Sequence, residues 1–560
     1  MKRVALFCLS LFLPIAAEQP AETTTAQGVN FAGSTVAAQI DKVFTRVDKR
    51  DCPGCALGVW TDGQVVYTRG YGMANLEYSV PITKDTVFEA GSVSKQYTAA
   101  AILLLTREGK LSLDDDIRKY LPEVPDFGKK ITIRHLLTHT SGLRDQWELL
   151  TLAGRPPGST VHTLDEILYL VSRQKELNFP PGEEYLYSNT GYSLLAWIVK
   201  RASGRPLAEF SQTEIFHPLG MVHSQWRDDF TRIVKGRATA YRMDGSGAYH
   251  TEMPFTNVYG NGGFLTTVGD LLIWSENFFH PRIPGRPLID EMQIRGKLNS
   301  GQTIDYGLGL DIGEYKGVPE ISHSGSTAGY RAFLTRFPDQ KVAIAILCNL
   351  ANVEPAALAH QVADILLAGS LHEPEKPKAI TVSEEEVKKR VGLYRNMHTD
   401  EVLGLLIKEG KLFVAGRGVG VELVPVGQDR FRSLNGQSEV VFDSEGAGKP
   451  DTLSLVSGRS RPEIYTAVPF ATPSARDLEE YRGDYYSEEL DVVYSVELQD
   501  GKLTMRHRPE AAVALVPAFA DAFSDARGRV IRFTRGNSGK VDGYLVYAGC
   551  VRHLRFVKRS

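Results

Sequence analysis

Cysteine is scarce in this chain, which has five in 560 residues. So few cysteines do not suit a disulfide-rich scaffold, the device by which small exported domains replace a core. A charge excess is also lacking, because 64 lysines and arginines face 67 aspartates and glutamates, for a net charge of −3. With no basic stripe for phosphates, a nucleic-acid partner is not expected.

Long apolar runs are missing as well. The stretch from Val4 to Ala17 follows two basic residues and ends in small side chains before Glu18. It falls short of the roughly 20 residues that a spanning helix needs, whereas this pattern is typical of a signal peptide. We therefore predict a signal peptide at residues 1–17, a periplasmic or secreted protein, and no membrane span after cleavage. An uncleaved anchor is the alternative.

Four cysteines remain after such a cleavage, and export permits disulfides among them. Cys52 and Cys55 have the spacing of a redox motif but precede a strand pattern, so a local disulfide or two unpaired thiols are expected instead. Cys348 ends an apolar run and should lie buried in a strand, and Cys550 falls in a terminal strand pattern.

Three short polar clusters occur in an order that a serine acyl-transfer site can use. They are Ser92-Val93-Ser94-Lys95, Tyr187-Ser188-Asn189 and His323-Ser324-Gly325. The first has a second copy at Ser172, and the Tyr-x-Asn pattern recurs at Tyr259 and Tyr394. Context has to decide between the copies.

The residues after Ser92 favour it as the nucleophile. The apolar stretch 96–105, closed by Gly109, predicts a buried helix with Ser92 in its first turn. Residues three apart share a helix face, so Lys95 can lie beside Ser92, and the helix N-terminus favours negative charge there. Ser172 precedes a charged stretch and prolines, which indicates a solvated helix end.

A serine hydroxyl needs a neighbour to take its proton, and Lys95 and Tyr187 are both candidates. The sequence leaves open which of them is the base. Asn189 can orient the lysine or a substrate carbonyl, and the backbone N–H groups of Ser92 and Ser326 can form an oxyanion hole. Taken alone, Tyr187 can also be a packing residue, Asn189 a turn residue and His323 a buried hydrogen-bonding group.

Two other patterns do not indicate a ligand site. His135 and His139 stand four apart, but a zinc-protease motif needs glutamate directly after the first histidine, and Leu136 stands there. We interpret this segment as a helix end and turn. The glycine-rich 260–263 lacks the lysine of a phosphate loop and is predicted to be a turn near the site. No metal or cofactor is expected.

The alternation of strand patterns predicts an α+β sandwich with an antiparallel sheet. Strand patterns flank Asp62-Gly63, a strong hairpin signal, and a second pair flanks Pro338-Asp339. Helical patterns lie between these two hairpins, as in a sheet covered by helices. We place this domain at residues 37–368 and a linker, rich in charge and proline, at 369–385.

The remainder of the chain is repeated. Gly392 and Tyr394 match Gly483 and Tyr485 at an offset of 91 residues, and several further positions follow at 91 or 92. Alternating strands with glycine turns predict two small antiparallel β-barrels, at residues 386–468 and 476–560. They could cover the cleft, bind cell-wall material, or stabilise the chain.

The chain resembles the serine β-lactamase and penicillin-binding-protein superfamily, in its branch of class C β-lactamases, D-aminopeptidases and esterases. The resemblance is carried by the three clusters and by four further stretches: Phe88-Glu89-Ala90-Gly91, the run from Ile133 to Leu143, Pro181-Gly182-Glu183-Glu184-Tyr185, and Gly262-Gly263-Phe264 with Thr266-Thr267-Val268-Gly269-Asp270. It implies the serine β-lactamase-like sandwich, and the paired repeats resemble the lipocalin-like barrels of D-aminopeptidases.

The resemblance also implies roles. Ser92 would be acylated, Lys95 and Tyr187 would act as the base pair, and His323 would be the electrostatic partner of Tyr187. Substrate and oxyanion contacts would come from Asn189, Ser324, Gly325 and Ser326.

The third cluster departs from the β-lactamase pattern, because His323 stands where those enzymes carry lysine, a permanent cation suited to a substrate carboxylate. We therefore expect a serine hydrolase acting on D-amino-acid peptides or esters, on a small-molecule or peptide substrate that could derive from the cell wall. A β-lactamase, or a penicillin-recognising sensor acylated without turnover, is the alternative.

Overall fold

The computed structural model describes residues 33–372, 379–415, 420–434, 438–443, 450–457, 462–507 and 511–559. The predicted signal peptide and the middle of the predicted linker lie outside these residues. Within the described part of the chain, none of the helices has the length and apolar character needed to cross a bilayer.

A six-stranded antiparallel sheet forms the centre of the first domain. In spatial order its strands are Asp311–Tyr315, Val318–Thr327, Tyr330–Phe337, Val342–Cys348, Cys55–Thr61 and Gln64–Tyr71. The two predicted hairpins are confirmed, and they meet where Cys55–Thr61 pairs with Val342–Cys348. Asp62 and Gly63 both have positive φ, as the tight turn between twisted strands requires.

Helices cover both faces of the sheet. One face packs on Thr35–Val43 and Pro355–Leu366, and the other packs on a larger core that includes Lys95–Arg107, Asn189–Ser203 and Val268–Phe279. Shorter α-helices of this domain are Ile133–Leu137, Gln146–Leu152, Leu164–Ser172, Leu207–Ser211, His217–Leu219 and Arg286–Met292. The predicted α+β sandwich is therefore confirmed.

The predictions for Cys55 and for Cys550 are wrong. Cys55 is bonded to Cys348 and not to Cys52. The reason is the sheet register, which places Cys55 and Cys348 directly opposite each other on neighbouring strands. Cys348 is buried in a strand as predicted, whereas Cys550 lies in the turn between two strands and not within one.

The first repeat forms a closed eight-stranded barrel. Its strands are Gly392–Arg395, Val402–Lys408, Lys411–Ala415, Val421–Pro425, Arg430–Ser433, Ser438–Asp443, Thr452–Ser457 and Glu463–Val468, and Glu384–Lys389 is a helix that precedes them.

The second repeat forms a nine-stranded sheet that is nearly closed. After the helix Ala475–Glu480 its strands are Gly483–Ser487, Val492–Gln499, Lys502–Arg506, Val513–Ala514, Val516–Pro517, Ala522–Ser524, Val530–Arg535, Val541–Ala548 and Val551–Lys558. Val513–Ala514 and Val516–Pro517 lie at the two ends of the sheet, separated in sequence by Leu515. One nearly continuous segment thus joins the two edges.

The barrels repeat local contacts as well as sequence. Tyr394 and Tyr485 each donate a hydrogen bond to the carbonyl four residues earlier, at 3.1 Å and 2.7 Å.

The barrels differ in their neighbours. The second barrel shares a continuous apolar core with helices Gln146–Leu152 and Leu164–Ser172 of the first domain.

Candidate active site

Ser92 lies in a short 3₁₀ turn, Gly91–Ser94, and the α-helix itself begins at Lys95. The expectation that Ser92 lies in the first turn of the α-helix is wrong, because Ser92 lies in the 3₁₀ turn that directly precedes it. The tighter turn still places the two side chains together, with Lys95 Nζ 3.0 Å from Ser92 Oγ. The turn packs against strand Val318–Thr327, which carries the third cluster.

Lys95 is fully buried and makes three hydrogen bonds. Besides Ser92, Nζ donates to Asn189 Oδ1 at 3.1 Å and to the Asn261 carbonyl at 2.7 Å. Burial lowers the pKa of Lys95 to about 7, against the opposing influence of the Asp145 and Asp311 carboxyls. A substantial fraction of the amine is therefore neutral near pH 7 and able to accept the Ser92 proton.

Burial raises the pKa of the Tyr187 phenol above its ordinary value, against the opposing influence of the nearby Ser92 side chain. Lys95 Nζ also lies 4.8 Å from the centre of the Tyr187 ring. A neutral phenol is a proton donor and a poor base. Of the two candidates that the sequence left open, the geometry and the charges therefore favour Lys95 as the proton acceptor.

Asp145 supports this arrangement, and no sequence signal pointed to that role. Its Oδ2 accepts hydrogen bonds from the Asn189 N–H at 2.6 Å and from Asn189 Nδ2 at 3.0 Å. The first of these bonds caps helix Asn189–Ser203, whose own N-cap Ser188 supplies no side-chain bond. Asp145 is also the N-cap of helix Gln146–Leu152, because its Oδ1 accepts a hydrogen bond from the Trp147 N–H at 2.9 Å.

His323 is neutral in this setting. Its Nε2 lies 3.0 Å from the Tyr306 hydroxyl and its Nδ1 lies 2.6 Å from the Ser324 carbonyl. Burial and the Lys95 charge lower its pKa to about 3. Its ring centre is 6.4 Å from that of Tyr187, so the predicted electrostatic partnership is replaced by an aromatic contact and a hydrogen bond to Tyr306.

His139 is a second histidine of the site that sequence reasoning missed. Its Nδ1 accepts a hydrogen bond from the Ser188 N–H, and its ring centre lies 4.2 Å from that of Tyr187. Burial lowers its pKa well below the usual range. His135 instead accepts from the Thr132 N–H at the start of helix Ile133–Leu137. The two histidines thus serve separate tasks, and the helix-end interpretation is confirmed.

The main chains on either side of Ser92 approach closely enough to frame an oxyanion hole. A Cβ on Gly91 would lie 2.5 Å from the Ser326 nitrogen, and one on Gly325 would lie 2.0 Å from the Ala90 carbonyl. Only glycine fits at these two positions, and the fit brings the strand of Ser326 against the turn of Ser92. Ser324, by contrast, is exposed.

A cavity of about 520 Å³ opens over these groups. Its walls include Ser92, Tyr187, Asn189 and Ser326. The remaining wall combines apolar and charged side chains: Trp147, Met253, Phe255, Val258, Glu89, Arg227 and Glu252.

The rival copies of the motifs lie elsewhere or play other parts. Ser172 ends a helix and donates to the Tyr169 carbonyl, and Tyr394 lies in the core of the first barrel. The copy at Tyr259 contributes through Asn261, whose carbonyl binds Lys95. The glycine-rich turn 260–263 is therefore near the site, as predicted.

Comparisons with known proteins agree with this geometry. Residues 40–367 match the family described as Beta-lactamase. A penicillin-binding protein of Bacillus subtilis is 30% identical over 421 residues, covering 69% of this chain and 89% of that protein. A D-aminopeptidase of Cereibacter sphaeroides is 28% identical over 452 residues, covering 80% and 82%.

Among solved structures, the octameric penicillin-binding protein homologue from Pyrococcus abyssi superposes with a TM-score of 0.55 at 26% identity, covering 77% of this chain and 99% of that one. The chain belongs to the Beta-lactamase family and is a hydrolase of the β-lactamase and penicillin-binding-protein superfamily.

Proposed function

We propose that this chain is an exported serine hydrolase that forms an acyl-enzyme on Ser92 and acts on D-aminoacyl amides or esters with a free ammonium group. The observation that carries the proposal is the charge distribution of the site. It suits a substrate with an ammonium group better than one with a carboxylate.

A substrate carboxylate would find little to bind near the third cluster. His323 has a pKa of about 3 and is uncharged at neutral pH. Asp311, on the neighbouring strand, adds a carboxyl whose charge is felt by Lys95 and Tyr187. Burial raises the pKa of Asp311 to about 7, so it carries a partial negative charge. These groups disfavour β-lactams and carboxypeptidase substrates, both of which present a carboxylate.

The cavity wall offers a negative charge that can bind a substrate ammonium, and its positive charge is already paired. Among its described residues, Arg227 is the one cation with a full charge, and it is buried in a paired contact with Glu89 at 2.7 Å. Glu252 also lines the cavity and is partly exposed. Its main chain is tied to the loop after Ser326, because the Gly329 N–H donates to the Glu252 carbonyl at 2.9 Å. We infer that Glu252 receives the substrate ammonium, with Trp147 and Phe255 beside the substrate side chain.

The reaction then follows from the positions of the protons. Neutral Lys95 takes the Ser92 proton as Oγ attacks the acyl carbon, and the N–H groups of Ser92 and Ser326 stabilise the oxyanion. The Tyr187 phenol is placed to hand a proton to the leaving nitrogen or oxygen and to regain one from the Lys95 ammonium. Water, activated by the same amine, then releases the acyl group from Ser92.

Export is supported by two independent features. The N-terminal pattern at residues 1–17 is typical of a signal peptide, and the Cys55–Cys348 disulfide suits an oxidising compartment. Peptides containing D-amino acids from the cell wall are substrates available to such a protein.

The test compares D-alanyl p-nitroanilide with its L isomer, with the N-acetylated D compound and with a chromogenic cephalosporin. We expect Ser92-dependent hydrolysis of the D compound, with loss of activity on the acetylated compound because its ammonium is absent. Glu252→Gln should raise KM for the D compound and leave hydrolysis of an uncharged ester unchanged. Equal rates for wild type and Ser92→Ala on every substrate would contradict the proposal.

The alternative of a penicillin-recognising sensor is favoured by the likeness to a penicillin-binding protein. It would give a lasting adduct with a penicillin in intact-mass spectra, without release of product and without turnover of any D-aminoacyl compound. The same experiment therefore separates the two functions.

A further inference from the structure

The second barrel reaches the active site through one hairpin. Strands Val541–Ala548 and Val551–Lys558 are joined by Gly549 and Cys550. At this tip the Cys550 carbonyl accepts hydrogen bonds from the Asp145 N–H at 3.3 Å and from Asn178 Nδ2 at 3.0 Å. Asn178 Oδ1 in turn accepts from the Arg552 N–H at 2.8 Å. The tip is thus held beside Asp145 by one main-chain bond and by two bonds to the Asn178 side chain.

A buried ion pair fixes the same junction. Arg144 is fully buried, and its Nη1 lies 2.6 Å and 2.8 Å from the two carboxylate oxygens of Glu489 in the second barrel. Arg144 Nε and Nη2 both donate to the Arg552 carbonyl, at 3.2 Å and 3.0 Å. A buried guanidinium cannot exchange these partners for water, so its geometry is strongly determined. The second barrel therefore dictates where Arg144 and the following residue lie.

The following residue is Asp145, and a short path leads from it to the nucleophile. Asp145 Oδ2 binds Asn189 through both its main-chain and side-chain N–H groups. Asn189 Oδ1 accepts from Lys95 Nζ, which also donates to Ser92 Oγ. The path consists of two hydrogen bonds from Asn189 to Asp145, one from Lys95 to Asn189 and one from Lys95 to Ser92, all between buried or half-buried groups. Displacement of Asp145 would release Asn189 and leave Lys95 without one of its three acceptors.

We propose that the second barrel helps to form the active site. The Arg144–Glu489 ion pair and the Cys550 hairpin hold Asp145, which acts as the positioning residue for Asn189 and Lys95. The barrel then acts on the chemical step and not on substrate entry. This goes beyond the proposed function, because it concerns how the base is held and applies to any acyl substrate.

The charges around Lys95 make the effect measurable. The carboxyls that bear on its amine are Asp145 and Asp311, both of which raise its pKa. His139 and His323, packed nearby, have lowered pKa values and are neutral at pH 7. If Asp145 moves away, the Lys95 pKa falls and the acidic limb of the activity profile moves with it to lower pH.

The experiment uses the full chain and an uncharged p-nitrophenyl ester, so that it does not depend on D-aminoacyl specificity. Glu489→Gln removes the charge of the ion pair, and Asn178→Ala removes two hydrogen bonds of the hairpin tip while leaving the ion pair in place. Glu488→Gln is the matched control, because Glu488 is the neighbouring residue and pairs with Lys175 on the exposed surface. Folding is checked by circular dichroism and thermal melting.

We expect both Glu489→Gln and Asn178→Ala to lower kcat, and Glu489→Gln to lower it by about tenfold to hundredfold. In both variants KM should be nearly unchanged, and the acidic limb of the pH profile should move to lower pH. Glu488→Gln should match wild type. Folded variants with wild-type kcat and an unmoved limb would overturn the proposal, as would a change confined to KM. If Glu489→Gln does not fold, Asn178→Ala decides alone. A wild type that hydrolyses the ester but no D-aminoacyl compound would count against the proposed function and not against this inference.

Discussion

His398 in the first barrel and Glu489 in the second occupy the same position of the repeat, 91 residues apart. Two residues after each of them stands an aspartate with positive φ, Asp400 or Asp491. The N–H of each aspartate donates to the carbonyl four residues earlier at 2.9 Å, so the two turns are closed in the same way. His398 contacts Glu184 with its side chain 61% exposed, whereas Glu489 holds Arg144 with its side chain 7% exposed.

The difference shows that the two copies of the repeat share the residues that close a barrel but contact the catalytic domain in different ways. Both copies keep the residues that close a barrel, such as the tyrosine pair Tyr394 and Tyr485. The turn residue differs in chemistry, histidine in the first copy and glutamate in the second, and so does its partner in the catalytic domain, Glu184 or Arg144. The second barrel has become continuous with the active site, while the first barrel meets the same domain at this turn through a solvated contact.

The largest difference between the two barrels should appear in the free energy of unfolding when the two equivalent residues are truncated. Glu489→Ala leaves the Arg144 guanidinium buried without its carboxylate, which costs about 3–5 kcal/mol of the free energy of unfolding. His398→Ala should cost less than about 1 kcal/mol, as surface pairs do. Urea denaturation followed by tryptophan fluorescence measures both, and equal losses would remove the distinction between the barrels.

A smaller effect should come from the charge of Asp145, which the second barrel holds in place. Asp145→Asn keeps a hydrogen-bond acceptor for Asn189 but removes the carboxylate that raises the Lys95 pKa. The amine is then neutral at lower pH, so the acidic limb of kcat/KM should move down by about one pH unit, equivalent to about 1.4 kcal/mol. The profile of ester hydrolysis from about pH 5 to about pH 9 tests this. A limb that stays near pH 7 or moves upward would show that Asp145 does not act on Lys95.

The smallest effect should come from one hydrogen bond at the junction. The Tyr494 hydroxyl donates to the Leu152 carbonyl at 2.9 Å, where both groups are buried, and the residue at the same place in the first barrel is Leu403. Tyr494→Phe should lower the free energy of unfolding by about 1 kcal/mol. Tyr486→Phe, which removes an exposed hydroxyl bonded to Asp491, is the control and should cost less. An equal cost would mean that the junction bond contributes nothing particular.

The parts of the fold that were predictable are those set by local chemistry. The turn at Asp62-Gly63 and the glycine after helix Lys95–Arg107 are signals that act over a few residues. The two barrels were predictable because their sequences can be compared with each other within the same chain. The Cys55–Cys348 bond was not, because only the sheet register brings together residues 293 apart.

The site divides in the same way. Ser92 and Lys95 share one turn, and Tyr187 and Asn189 share one short segment, so their spacing carries information. Asp145 meets Asn189 across 44 residues, and Arg144 meets Glu489 across 345. The first contact follows from packing within the catalytic domain and the second from packing between domains, and neither leaves a pattern in a single sequence.

The proposed function requires that Ser92 is acylated with neutral Lys95 as its base. Rapid mixing with a p-nitrophenyl ester, followed by intact-mass spectrometry, measures the rate of adduct formation at a series of pH values. We expect an adduct that maps to Ser92 and is absent from Ser92→Ala, formed at a rate that rises with pH through about 7, the pKa of Lys95. A rate that does not change across that range, or an adduct that persists in Ser92→Ala, would contradict the account.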